Sequence, residues 1–173
     1  MLVAGFGNVL RGDDGFGVEV VRRLQNEGAT PQGTVLLEVG TGGVALAQEL
    51  MTPCDRLVIV DAMTRGGAPG SVYVLKVDGV QAARTVDMHM AVPARVLELA
   101  QAMGTLPRDV YMVGCEPGVV DELTMELSAP VQDAIEPALR DVRALLSLST
   151  RSVCLEADPA GRLKPAATGD GCE

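Results

Sequence analysis

Two short runs of uninterrupted apolar residues constrain this chain more than anything else in it. Leu2-Val3-Ala4-Gly5 and Leu57-Val58-Ile59-Val60 are too short for helices and do not alternate with polar residues. That is the pattern of strands buried on both faces of a parallel sheet, and such strands need helices above and below them. The spacing predicts those helices. Apolar residues recur with a helical period from Asp14 to a stop near Gly28, over Val44 to Leu50 with Pro53 closing the segment, over Val92 to Met103, and over Ala129 to Leu148 with Pro130 in the first turn. Further strands are expected at Thr34 to Val39, at Ser71 to Val77 after Gly66-Gly67-Ala68-Pro69-Gly70, and at Asp109 to Gly114. Strands alternating with helices over short connections predict a three-layer α/β/α sandwich on a mostly parallel five-stranded sheet, a single domain over residues 1–149. Residues 150–173 lose the periodicity and carry Pro159, Gly161, Pro165, Gly169 and Gly171, so they are expected as a mobile tail.

Composition removes several functions. With 23 acidic against 14 basic side chains, a formal charge of −9, two Phe, two Tyr and no Trp, the chain suits neither a phosphate backbone nor stacked bases. Nucleic acid is excluded as a partner on this reasoning. The four cysteines, Cys54, Cys115, Cys154 and Cys172, form no C-x-x-C pair, and they read as thiols of a reducing cytosol. No apolar run approaches the roughly 18 residues of a membrane span, and Met-Leu-Val-Ala-Gly lacks the basic start of a leader. The expectation is a cytoplasmic monomer with no membrane attachment.

The segment with most chemical content is Gly5-Phe6-Gly7-Asn8-Val9-Leu10-Arg11-Gly12-Asp13-Asp14-Gly15-Phe16-Gly17. It lies between the first strand and the first helix, at the carboxyl edge of the sheet, where ligands of open α/β folds bind. A dinucleotide fingerprint would need a third glycine where Leu10 stands, and the aspartates would repel a pyrophosphate. Asp13 and Asp14 are then either helix caps or site residues. Asp61, directly after Leu57-Val58-Ile59-Val60, emerges at the same edge if the first and third strands are neighbours in the order 2-1-3; the plainer reading is a turn cap or a pair with Arg65. His89 is the only histidine of the chain, in Val86-Asp87-Met88-His89-Met90-Ala91. A lone loop histidine is by itself unremarkable, but a segment following the fourth strand is expected to return to the carboxyl edge. One imidazole and two carboxylates make a three-ligand site with open positions, suited to Ni²⁺ or Zn²⁺, and spacing does not choose between them. Cys115, ending the fifth strand, offers a competing Cys–His nucleophile with His89.

These motifs carry a resemblance. Gly5-Phe6-Gly7-Asn8-Val9-Leu10 with Asp13-Asp14-Gly15-Phe16-Gly17 resembles the G-x-G-N-x-L-x-x-D-E/D-G-x-G opening of the hydrogenase maturation endopeptidases. Val39-Gly40-Thr41, Asp61-Ala62, Ala68-Pro69-Gly70, His89, Gly114 with Glu116-Pro117, and Ile135-Glu136-Pro137-Ala138-Leu139 follow in the family's order, over residues 1–148. The resemblance implies an endopeptidase that removes a C-terminal extension from the nickel-loaded large-subunit precursor of a nickel–iron hydrogenase. It implies a catalytic and nickel-recognising set of Asp14, Asp61 and His89, the nickel being met on the substrate. Two positions depart from the family pattern: Asp14 stands where glutamate is frequent, and Glu38-Val39-Gly40-Thr41 replaces D-G-G-T. Two other readings remain: a non-catalytic nickel-sensing or chaperone-like module that binds the immature subunit, and a nucleotide-binding oxidoreductase domain, which Leu10 and the acid pair disfavour. Imidazole binds metal only when neutral, so the endopeptidase reading also implies activity that weakens as pH falls through the pKa of His89.

Overall fold

The computed structural model describes residues 1–28, 30–77, 91–148, 155–157 and 163–165. The elements run β1 (Leu2–Phe6), a 3₁₀ turn (Gly12–Gly15), α1 (Phe16–Glu27), β2 (Val35–Gly40), α2 (Val44–Glu49), β3 (Arg56–Ala62), β4 (Val72–Lys76), α3 (Ala91–Ala102), β5 (Asp109–Cys115), α4 (Ala129–Ser147), β6 (Leu155–Ala157) and β7 (Leu163–Pro165). The helical periods are physical. Phe16, Val20 and Leu24 of α1 recur at four-residue intervals and are all buried. That helix stops at Gly28, whose left-handed φ of 62° lets its N–H reach the Leu24 carbonyl at 3.3 Å.

Five strands form one sheet in the order β2-β1-β3-β5-β4. The pairs β1–β2, β1–β3 and β3–β5 are parallel, with Leu2 opposite Leu57 and Gly5 opposite Val60. Successive residues of each central strand face opposite layers. Val3, Val58, Val60 and Val113 pack under α1 and α4, whereas Leu2, Ala4, Leu57, Ile59 and Met112 pack under α2 and α3. This is the expected three-layer sandwich, and the expected adjacency of the first and third strands holds.

One expectation about direction fails. β4 pairs with β5 antiparallel, Val72 opposite Cys115 and Lys76 opposite Tyr111, so β4 ends at the amino edge. The segment after it therefore starts from the wrong side of the sheet for the reason given above. The chain is at the carboxyl edge again in the first two turns of α3, where Val92 and Val96 lie against Gly43 at the start of α2. His89 itself lies outside the described residues. In the region expected as a mobile tail, β6 and β7 pair antiparallel, Leu155 opposite Pro165.

At the amino edge, Arg56 is a buried cation. It donates to the carbonyls of Leu145 (2.6 Å) and Leu148 (2.9 Å) at the end of α4 and to Asp109 Oδ2 (3.3 Å), a favourable charge for a helix C-terminus. Among the described residues, no helix is long and apolar enough to cross a membrane.

Candidate active site at the carboxyl edge

Glycine lets the Asp14 turn fold back over the end of β1. Gly7 has φ of 118°, and a Cβ there would lie 1.7 Å from the Asp14 carbonyl oxygen. Gly17 does the same for α1: a Cβ on it would lie 2.2 Å from the Val60 carbonyl oxygen and 2.5 Å from that of Phe6. The helix thus crosses the ends of β1 and β3 at backbone contact. The consequence is that the turn carrying Asp14, which follows β1, lies beside the end of β3 that carries Asp61, strands β1 and β3 being neighbours as the order 2-1-3 predicts.

Each carboxylate is oriented by a main-chain amide. Asp14, half-buried, accepts at Oδ2 from the Asn8 N–H (3.0 Å), and Asp61, buried, accepts at Oδ1 from the Ala62 N–H (2.9 Å). Neither aspartate of the motif caps α1, whose N-cap is Gly15. Arg65, the alternative partner for Asp61, lies over the ring of Tyr73 at 5.4 Å. Among the described residues, no three His, Cys, Asp or Glu side chains gather to hold a metal ion. The two described members of the set, Asp14 and Asp61, are oxygen donors that suit a hard or borderline divalent cation.

Asp13 has a different task from its neighbour. It is fully buried, and its carboxylate accepts the N–H groups of Gly118 (2.8 Å), Val119 (2.7 Å) and Ser128 (2.6 Å) and the Ser128 hydroxyl (2.8 Å). Burial pushes its pKa up, but these bonds outweigh that and hold it below the usual aspartate value. Asp13 therefore ties the loop after β5, and the residue preceding α4, to the turn that carries Asp14. Glu116 makes a second such tie. Its carboxylate accepts from the N–H groups of Arg65 (2.8 Å) and Gly66 (3.1 Å) and from the Tyr73 hydroxyl (3.0 Å), fixing the segment that leaves Asp61 toward β4. Here too burial raises the pKa and the amides of Arg65, Gly67 and Gly66 with the Tyr73 hydroxyl bring it below the usual range. Sequence reasoning had the signal for Glu116: like Asp61, it directly follows a run of strand residues at the carboxyl edge.

Cys115 does not fit a nucleophile. Its thiol is fully buried among α1, α4 and the sheet, and burial together with the Asp13 charge pushes its pKa up to about 12. A thiol of that kind is inert packing at neutral pH.

The fold and these ties define a class: a three-layer α/β domain with two oriented carboxylates at the switch point of its sheet. The family model described as hydrogenase maturation protease matches residues 18–144. The hydrogenase expression/formation protein HoxM of Azotobacter vinelandii is 35% identical over 171 residues, covering 96% of this chain and 81% of that protein. The hydrogenase 2 maturation protease of Escherichia coli is 34% identical over 149 residues, covering 84% and 90%. Among solved structures, the hydrogenase maturating endopeptidase HybD from E. coli superposes with a TM-score of 0.75 at 34% identity, covering 84% of this chain and 90% of that one. The chain belongs to the hydrogenase maturation protease family.

Proposed function

We propose that the chain is an endopeptidase that removes a C-terminal extension from the nickel-loaded large-subunit precursor of a nickel–iron hydrogenase. The observation that carries this is the pairing of family membership with Asp14 in the turn after β1 and Asp61 at the end of the neighbouring β3, each accepting a main-chain amide. Nickel enters as part of the substrate. Asp14, Asp61 and His89 engage the ion that the precursor already holds, and so bring the scissile peptide against the carboxyl edge. Hydrolysis adds water across the peptide C–N bond: a carboxylate of the pair takes the water proton as general base while the oxygen attacks the carbonyl carbon, and the same proton passes to the nitrogen as the C–N bond breaks. The reading carries with it a cytoplasmic monomer that meets its substrate transiently.

The test incubates the protein with extended precursor, with and without nickel, and weighs the products. A fragment pair whose masses sum to the precursor plus one water, formed only with nickel and abolished in Asp14→Asn, Asp61→Asn and His89→Ala, is the expected outcome. Nickel-independent cleavage overturns the metal-reading step. No cleavage in either condition overturns the peptidase and leaves a binding module.

A further inference from the structure

Three large apolar side chains stand in water beside the Asp14 turn: Leu10 is 55%, Leu123 90% and Met125 70% exposed. They belong to two segments that are fastened to each other. The Gly12 N–H donates to the Thr124 carbonyl (2.7 Å), the Asp13 N–H to the Val119 carbonyl (2.9 Å), and Arg11 meets Asp121 at 3.3 Å. With the four bonds to the Asp13 carboxylate, this makes residues 118–128 a ledge rigidly attached to the turn that holds Asp14. Behind Met125 the ledge continues into a groove of about 410 Å³ lined by Val9, Gly15, Leu127, Glu19 and Glu126 among others.

The rim is acidic. Asp121, Glu122 and Glu126 are exposed on the ledge itself, and the nearby cations Arg11 and Arg22 are already engaged by Asp121 and Glu38. Large apolar side chains exposed on two joined segments beside a charged rim mark an interaction surface, and carboxylates at that rim attract a basic partner. A second copy of this chain would bring one charge of −9 against another.

We propose that this ledge is the docking surface for the substrate polypeptide, and that the segment it takes presents apolar side chains flanked by Lys or Arg. The inference rests on the endopeptidase reading above and adds where the substrate is held. Because ledge and turn share hydrogen bonds, a chain seated on Leu123 and Met125 is fixed in position relative to Asp14.

The test uses the full chain and the extended precursor, with two double variants, Leu123→Asp/Met125→Asp and Glu122→Lys/Glu126→Lys. All four side chains are exposed, so thermal midpoints should match the wild type. The first variant is expected to raise KM about tenfold or more with kcat within about twofold, as loss of an apolar anchor does. The second is expected to raise KM and to flatten its salt dependence. Calorimetric binding of the precursor should weaken in parallel. Unchanged KM and binding in both variants overturn the proposal, as does a fall in kcat at constant KM. A concentration-dependent dimer in sedimentation that Leu123→Asp/Met125→Asp abolishes identifies a second copy as the occupant and also overturns it. If the wild type binds the precursor without cutting it, the endopeptidase reading fails while the ledge is still judged on binding alone.

Discussion

Replacing Asp13 by asparagine changes one atom and removes one charge, and the structure says what that costs. Oδ2 accepts from Gly118, Val119 and the Ser128 hydroxyl, and Oδ1 from the Ser128 N–H at 2.6 Å. Asparagine has one acceptor oxygen and one NH₂. In the better orientation the oxygen keeps the Oδ2 position and the NH₂ is set against the Ser128 N–H, so one charge-assisted bond becomes a buried donor facing a donor. The three bonds that survive drop from charged to neutral strength. Together these losses amount to about 3 kcal/mol, a large part of the 5–15 kcal/mol typical of a domain. Urea unfolding followed by far-UV circular dichroism measures it. Ser128→Ala removes only the hydroxyl donor and should cost about 1 kcal/mol. The double variant should cost less than the sum of the two single variants, because the hydroxyl bond that Ser128→Ala removes is already weakened from charged to neutral strength in Asp13→Asn. A cost below about 1 kcal/mol for Asp13→Asn, or strict additivity with Ser128→Ala, would refute the claim that this carboxylate fastens the loop after β5.

Gly17→Ala places a methyl against two carbonyl oxygens, which outweighs the gain of about 1 kcal/mol in helix propensity; a net loss of about 2 kcal/mol or more is expected, and a thermal midpoint equal to the wild type would contradict the close crossing of α1. Glu116 has its pKa depressed from an ordinary 4.5, so its stabilisation is present above pH 4.5 and lost as pH falls through the lower folded value. Thermal midpoints of Glu116→Gln should therefore fall less than those of the wild type as pH drops below 4.5, and parallel acid slopes would count against the Glu116 tie. Cys115→Ala should keep kcat within about twofold, since a thiol with a pKa of about 12 holds on the order of one thiolate in 10⁵ at pH 7. A hundredfold loss, in a variant shown to be folded, would reinstate the Cys–His pair.

The central sheet was legible because burial on both faces leaves a direct mark: Leu57-Val58-Ile59-Val60 has no polar position to give it another reading. The position of Asp61 followed from that, since a charge that ends such a run emerges at one known edge, and that of Asp14 followed from the glycine-rich connection between a buried strand and the next helix. The direction of β4 was not taken from its own residues, because apolar periodicity is the same read either way along a strand. The connection held the clue: residues 63–71 between β3 and β4 are too few for a parallel crossover, which takes a dozen or more. Asp13 was beyond sequence reasoning for a different cause. Its partners lie 105, 106 and 115 residues away, and no local pattern distinguishes a carboxylate that caps its own helix from one that reaches across the sheet edge.

Glu116 grips the segment after β3 through the main-chain N–H groups of Arg65 and Gly66. Those amides are present whatever side chains those positions carry. The side chains at positions 64 and 65 can therefore be changed while the backbone path is retained, whereas Gly66, at φ of 78°, and Gly67, where a Cβ would lie 2.0 Å from the Tyr73 hydroxyl, are held to glycine. At Arg65 the anchor works through the backbone and leaves the side chain out of the tie, so a change of side chain there need not loosen the site.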